Sequence, residues 1–88
     1  MIVSFTDQFR KQYKKANVRI RNSFDIVLEK FKSNPMDSEL RNHTLQGKLE
    51  GFRSIDVTSN WRAIYKEVKQ GEIIFYFVAL GTHAKLYK

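Results

Sequence analysis

The sequence predicts a single α+β domain: an N-terminal strand, then a helical hairpin packed on one face of a mainly antiparallel sheet. Two periodicities and one apolar run predict it. Between positions 9 and 31 apolar residues recur every three or four, the spacing of one helix face. From Phe52 the period becomes two, the spacing of one strand face. The run I-I-F-Y-F-V-A-L at 73–80 is apolar on both faces, as expected of a central strand covered by helices on one side and partly covered on the other.

Residues 2–5 form a short β-type run ended by Thr6 and Asp7, either of which can cap a helix. From Asp7, Phe9, Tyr13 and Ala16 mark the inner face of a first helix, while Arg10, Lys11, Lys14 and Lys15 fill its outer face. Asn17 interrupts the pattern, and Ile20, Phe24, Val27, Leu28 and Phe31 restart it as the second arm of an αα-hairpin. Asn34-Pro35 closes that arm, because the residue before proline is pushed out of the α region. Residues 37–40 can make a brief helical turn, and R-N-H-T at 41–44 reads as loop. Leu45 is expected to plug into the domain. In the next strand Ile55 and Val57 point one way, and Phe52, Ser54, Asp56 and Thr58 the other, leaving one face unusually polar. Ser59-Asn60 turns the chain into a strand at 61–68, and K-Q-G-E at 69–72 turns it again into the apolar run. Gly81-Thr82 is expected to break that strand, and 83–87 to form a last short one with His83, Lys85 and Tyr87 on one face.

At 88 residues the chain is near the size at which one core is only just sufficient. The absence of cysteine excludes a disulfide framework and fits a reducing cytoplasm. Two histidines alone make a poor metal site, so neither metal nor cofactor is expected. No apolar run approaches the roughly 20 residues that span a bilayer, and the N-terminus lacks the pattern of a secretion signal. A soluble, cytoplasmic protein is expected. Sixteen Lys and Arg against nine Asp and Glu give a net charge of +7, a positive field that draws polyanions. Nucleic acid or an acidic protein is therefore the leading partner class.

A sheet covered by helices on one side does not need polar residues on the other for stability, yet Ser54, Asp56, Arg62, His83, Lys85 and Tyr87 all belong to strands or turns expected side by side. Metal-free RNA cleavage needs a base for the 2′-hydroxyl proton, a cation for the phosphorane, and an acid for the departing 5′-oxygen. Histidine suits either proton transfer, arginine holds phosphate through its planar fork, and tyrosine can position phosphate or stack on a base. The two histidines, Arg53, Arg62 and Tyr87 supply each part. The plainer reading of a lone histidine is a surface or capping residue, and that of the helix lysines a solvated face.

Three motifs carry a resemblance. H-T-L-Q-G-K-L-E-G-F-R at 43–53, W-R-A-I-Y-K at 61–66 and G-T-H-A-K-L-Y at 81–87 resemble the corresponding segments of the RelE/YafQ family of type II toxin-antitoxin toxins. Before these motifs the likeness is one of topology. The resemblance implies a RelE-like fold and a ribosome-dependent endoribonuclease, an mRNA interferase that cuts translated mRNA without a metal. His43 and His83 match active-site histidines, Tyr87 the aromatic residue that helps hold substrate, and Arg62 the phosphate-binding arginine of RelE-like members. Asp56 stands where YafQ-like sequences carry a further histidine, Asn60 where they carry an aspartate before the Trp, and Ser54 replaces an acidic residue; Asp56 and Arg62 would have to rebuild a working variant.

The catalytic set expected is thus His83, His43, Arg62, Asp56 and Tyr87. Arg53, Lys48 and Lys85, with Lys11, Lys14 and Lys15, are the candidate contacts to RNA and the ribosome. The partners implied are the mRNA on the ribosome and a cognate acidic antitoxin, commonly in a heterotetramer. Two rivals stay open: a ParE-like inhibitor of DNA gyrase on the same fold, against which the Gly-Thr-His ending argues, and a basic RNA-binding module without chemistry.

Overall fold

The computed structural model describes residues 1–87. The chain runs β1 (Ile2–Phe5), α1 (Asp7–Lys15), α2 (Val18–Ser33), β2 (His43–Thr44), β3 (Arg53–Asp56), β4 (Trp61–Gln70), β5 (Glu72–Thr82) and α3 (His83–Leu86). Single 3₁₀ turns at Ser38–Leu40 and Gly47–Leu49 flank β2. The five strands form one sheet in the order β1-β5-β4-β3-β2. Only β1 pairs in parallel, with β5; the other three pairings are antiparallel. The expected α+β fold is what the chain adopts.

Local chemistry accounts for the helix boundaries. Thr6, not Asp7, caps α1: its hydroxyl accepts from the Phe9 amide at 3.2 Å and donates to the Val78 carbonyl at 3.3 Å. Ala16 ends α1, its amide donating to the Gln12 and Tyr13 carbonyls, and Asn17 starts α2, its side-chain oxygen accepting from the Ile20 amide. Asn34 closes α2 immediately before Pro35. Between helices and sheet lie Phe9, Phe24, Phe31, Ile55, Ala63, Tyr65, Phe77 and Leu80, all but excluded from solvent.

Gly71, at φ 78°, forms the apex of the β4–β5 turn, a backbone geometry that favours glycine. Val78 has no opposite number in β4, because Tyr65 pairs with Phe77 and Ile64 with Ala79. This bulge reverses the alternation. Phe75 and Phe77 face the helices before it, and Leu80 takes the buried position after it.

Three expectations are corrected. Gly81-Thr82 does not break the strand, which continues through Thr82. Residues 83–86 form a helical turn rather than a strand, because the Thr82 hydroxyl caps it by accepting from the Lys85 amide. Gly81 permits this turn to sit close on the sheet: a Cβ there would lie 3.2 Å from the Leu86 side chain. Finally, His43–Thr44 is not loop but a two-residue edge strand, pairing His43 with Ser54 and Thr44 with Arg53.

Candidate active site

The polar side of β3 and β4 forms the floor of an open cleft of about 390 Å³, lined by Arg41, His43, Leu45, Asp56, Arg62, His83 and Tyr87. β3 supplies Asp56, β4 supplies Arg62 opposite it in register, the β2 edge supplies His43, α3 supplies His83, and the residue that caps its end is Tyr87. Four positions apart, His83 and Tyr87 share one face of the helical turn, their ring centroids 4.6 Å apart. The Tyr87 hydroxyl donates to the Ser54 hydroxyl at 2.6 Å, and Ser54 is fully buried. This bond ties α3 to the sheet floor. The expected catalytic residues His83, His43, Arg62, Asp56 and Tyr87 therefore all meet in one cleft.

Hydrogen bonds define their states. The His43 Nδ1 lies 2.9 Å from the Arg41 carbonyl. A carbonyl oxygen only accepts, so Nδ1 carries the hydrogen and the neutral ring keeps its lone pair on Nε2. Asp56 Oδ1 lies 3.0 Å from Arg62 Nε in an ion pair with only 19% and 16% of its side-chain surfaces exposed. Asp56 Oδ2 faces Arg41 Nε at 3.7 Å. The Arg62 Nη1 donates to the carbonyls of Thr58, Ser59 and Trp61, at 2.9, 3.2 and 3.0 Å. Arg62 is thereby pinned to the β3–β4 turn.

The cations expected to hold RNA are dispersed. Arg53 shares the parity of Ile55 along β3 and lies on the helix side of the sheet; it does not line the cleft. Its Nε donates to Asn42 Oδ1 at 2.8 Å, and Asn42 Nδ2 donates to the Tyr65 hydroxyl at 2.7 Å. Tyr65 is 1% exposed, and its burial pushes the phenol pKa up. Arg53 thus belongs to a structural network. Lys85 lines a separate hollow with Gln12, Lys15 and Trp61, to which neither His83 nor Tyr87 contributes, so His83, Lys85 and Tyr87 do not share a face. Lys48 is exposed in the second 3₁₀ turn, and Lys11, Lys14 and Lys15 are exposed on α1. Arg41 and Leu45 complete the cleft. Arg41 had no signal in the sequence beyond its place two residues before His43.

A profile of the family described as bacterial toxin of type II toxin-antitoxin system, YafQ, matches residues 1–88. The chain belongs to the YafQ toxin family. It is similar to the mRNA interferase toxin YafQ of Escherichia coli (strain K12), 28% identical over 89 residues that cover 97% of this chain and 94% of that protein. The crystal structure of YafQ from E. coli strain BL21(DE3) superposes with a TM-score of 0.79 at 27% identity, covering 98% of this chain and 97% of that one. YafQ in the E. coli DinJ-YafQ toxin-antitoxin complex gives a TM-score of 0.77 at 27% identity, covering 98% and 96%. As a YafQ family member the chain is a toxin of the type II toxin-antitoxin class, with the RelE-like fold expected of it.

Proposed function

We propose that this toxin is a ribosome-dependent endoribonuclease that cleaves translated mRNA by metal-independent acid-base chemistry. The observation that carries the reading is the convergence of His43 and His83 on one cleft above an ion-paired Asp56–Arg62 floor. His43 Nε2 removes the proton of the ribose 2′-hydroxyl, and that oxygen attacks the adjacent phosphorus. The bond from phosphorus to the 5′-oxygen breaks as His83, in its protonated form, gives that oxygen a proton. The products are a 2′,3′-cyclic phosphate and a 5′-hydroxyl, and proton exchange with water resets the histidines. Asp56 is already engaged by two arginines, so the base is His43 and Asp56 is part of the floor. Tyr87 offers a ring beside His83 against which a base can pack.

The test is to incubate translating ribosomes with the protein and map mRNA 5′ ends. Cuts placed by codon are expected. Intact message, whether accompanied by gyrase-linked DNA breaks or by RNA binding alone, overturns the reading.

The relative whose complex with DinJ resembles this chain points to a partner of the same kind here: an acidic antitoxin that wraps the +7 domain and covers the cleft, in a heterotetramer. Charge attraction acts on encounter more than on a formed interface. Raising ionic strength from about 0.05 to 0.5 M is therefore expected to slow association about tenfold or more while dissociation changes by less than about threefold. Stopped-flow association and dissociation rates check this; an association rate indifferent to salt counts against electrostatic capture.

A further inference from the structure

Two guanidinium groups reach the cleft, and they differ in what they have left to give. Arg62 is largely buried, its Nε is ion-paired with Asp56 and its Nη1 donates to three turn carbonyls, leaving only Nη2 without a partner among the described residues. For its fork to grip a phosphate it would have to abandon the contacts that hold the β3–β4 turn. Arg41 has 79% of its side-chain surface exposed and a single distant ionic contact, 3.7 Å from its Nε to Asp56 Oδ2. Among the described residues no hydrogen bond occupies either of its terminal nitrogens. A planar fork with both ends free is what bidentate phosphate binding requires.

The backbone of Arg41 adds a second observation. It adopts φ 50° and ψ 44° at the end of the Ser38–Leu40 turn, making it the only non-glycine residue with positive φ among those described. Glycine or asparagine ordinarily fills such a position, because a side chain there is strained. An arginine held in a conformation that disfavours it points to work for its side chain. The same residue also presents the carbonyl that accepts from His43 Nδ1, so Arg41 sets the His43 ring and extends its own side chain over the same cleft.

We propose that Arg41 is the residue that holds the scissile phosphate, and that Arg62 is a positioning residue which, with Asp56, forms the fixed floor beneath it. Asp56 Oδ2 lies 3.7 Å from Arg41 Nε, a contact that leaves both terminal nitrogens open to a phosphate. This assignment rests on the ribonuclease reading and names the cation that reading requires.

The deciding variant is Arg41→Gly, which removes the side chain while giving the left-handed position the residue it favours. On ribosomes programmed with a short mRNA, single-turnover cleavage is expected to fall about 10²-fold or more, the scale of losing one preorganised donor to a developing anion. The thermal midpoint should stay level or rise, so activity and stability move in opposite directions. Arg41→Lys keeps the charge without the fork and should fall between the two. Arg62→Lys, by contrast, should lower the thermal midpoint. A wild-type protein that cleaves alongside an Arg41→Gly variant within about threefold of it overturns the assignment alone. A wild-type protein that leaves the message intact overturns the ribonuclease reading and the assignment with it.

Discussion

Phe77→Ala is expected to leave the chain close to unfolding at room temperature. Phe77 is completely buried in β5 at the centre of an aromatic cluster, with ring centroids 5.8 Å from Phe5, 5.9 Å from Phe9, 5.7 Å from Phe24, 5.3 Å from Phe31 and 5.3 Å from Tyr65. These partners come from β1, α1, α2 and β4, so one ring joins the helical layer to the sheet. Truncation removes the ring's transfer energy and leaves a cavity that five aromatic neighbours cannot all collapse into, a loss of about 3–5 kcal/mol. At roughly 0.05–0.15 kcal/mol per residue, a domain of 88 residues has about 4–13 kcal/mol in total. The loss consumes a large share of it. Thermal denaturation followed by circular dichroism should show a midpoint lower by more than about 10 °C. Ile26→Ala serves as the control, since Ile26 is 67% exposed and its truncation should stay within about 0.5 kcal/mol. Equal shifts for the two variants would show that the aromatic cluster does not hold the layers together.

Most of this fold is legible along the chain because each boundary is set locally. Asn17, Asn34-Pro35 and Gly71 act through their own caps and dihedral angles, and the alternation around Ile55 and Val57 names the buried face of β3. What escapes depends on through-space geometry. The bulge at Val78 is invisible because I-I-F-Y-F-V-A-L is apolar on either face, so a reversal of phase leaves no trace in the pattern. Over the short H-A-K-L stretch, strand and helix periods separate only weakly; the Thr82 cap and the missing Cβ at Gly81 decide for the helix.

The site divides the same way. His43, Arg62, His83 and Tyr87 stand out by residue type and by motif, Asp56 by residue type alone, and their elements bring them together. Arg53 carried contrary information in its parity with Ile55, which places it under the helices however attractive its charge. Arg41 could not be found by periodicity, since its position follows from a left-handed residue after a 3₁₀ turn.

His83→Ala is expected to remove the toxin's activity while leaving its fold nearly untouched. The residue is solvent-exposed at the first position of α3, and among the described residues its side chain accepts and donates no hydrogen bond. Its backbone amide donates to the Asn60 carbonyl at 2.8 Å, a bond alanine retains. The ring lies 4.6 Å, centroid to centroid, from that of Tyr87, which keeps its own anchor on Ser54. Stability should therefore change by less than about 1 kcal/mol, in the range of exposed substitutions away from caps and core. The chemical effect is of another order. If His83 delivers the proton to the 5′-oxygen, its removal leaves an alkoxide to depart unaided, and a positioned general acid is typically worth about 10² to 10⁴ in rate. His43→Ala should cost a similar factor by removing the opposing base. The double variant should lose less than the product of the two, because either proton transfer alone accomplishes little once its counterpart is gone. Single-turnover cleavage on programmed ribosomes and the thermal midpoint, measured on the same preparations, separate the two effects. A folded His83→Ala protein that cuts mRNA at the wild-type rate would remove His83 from the mechanism and leave it as a surface residue beside Tyr87.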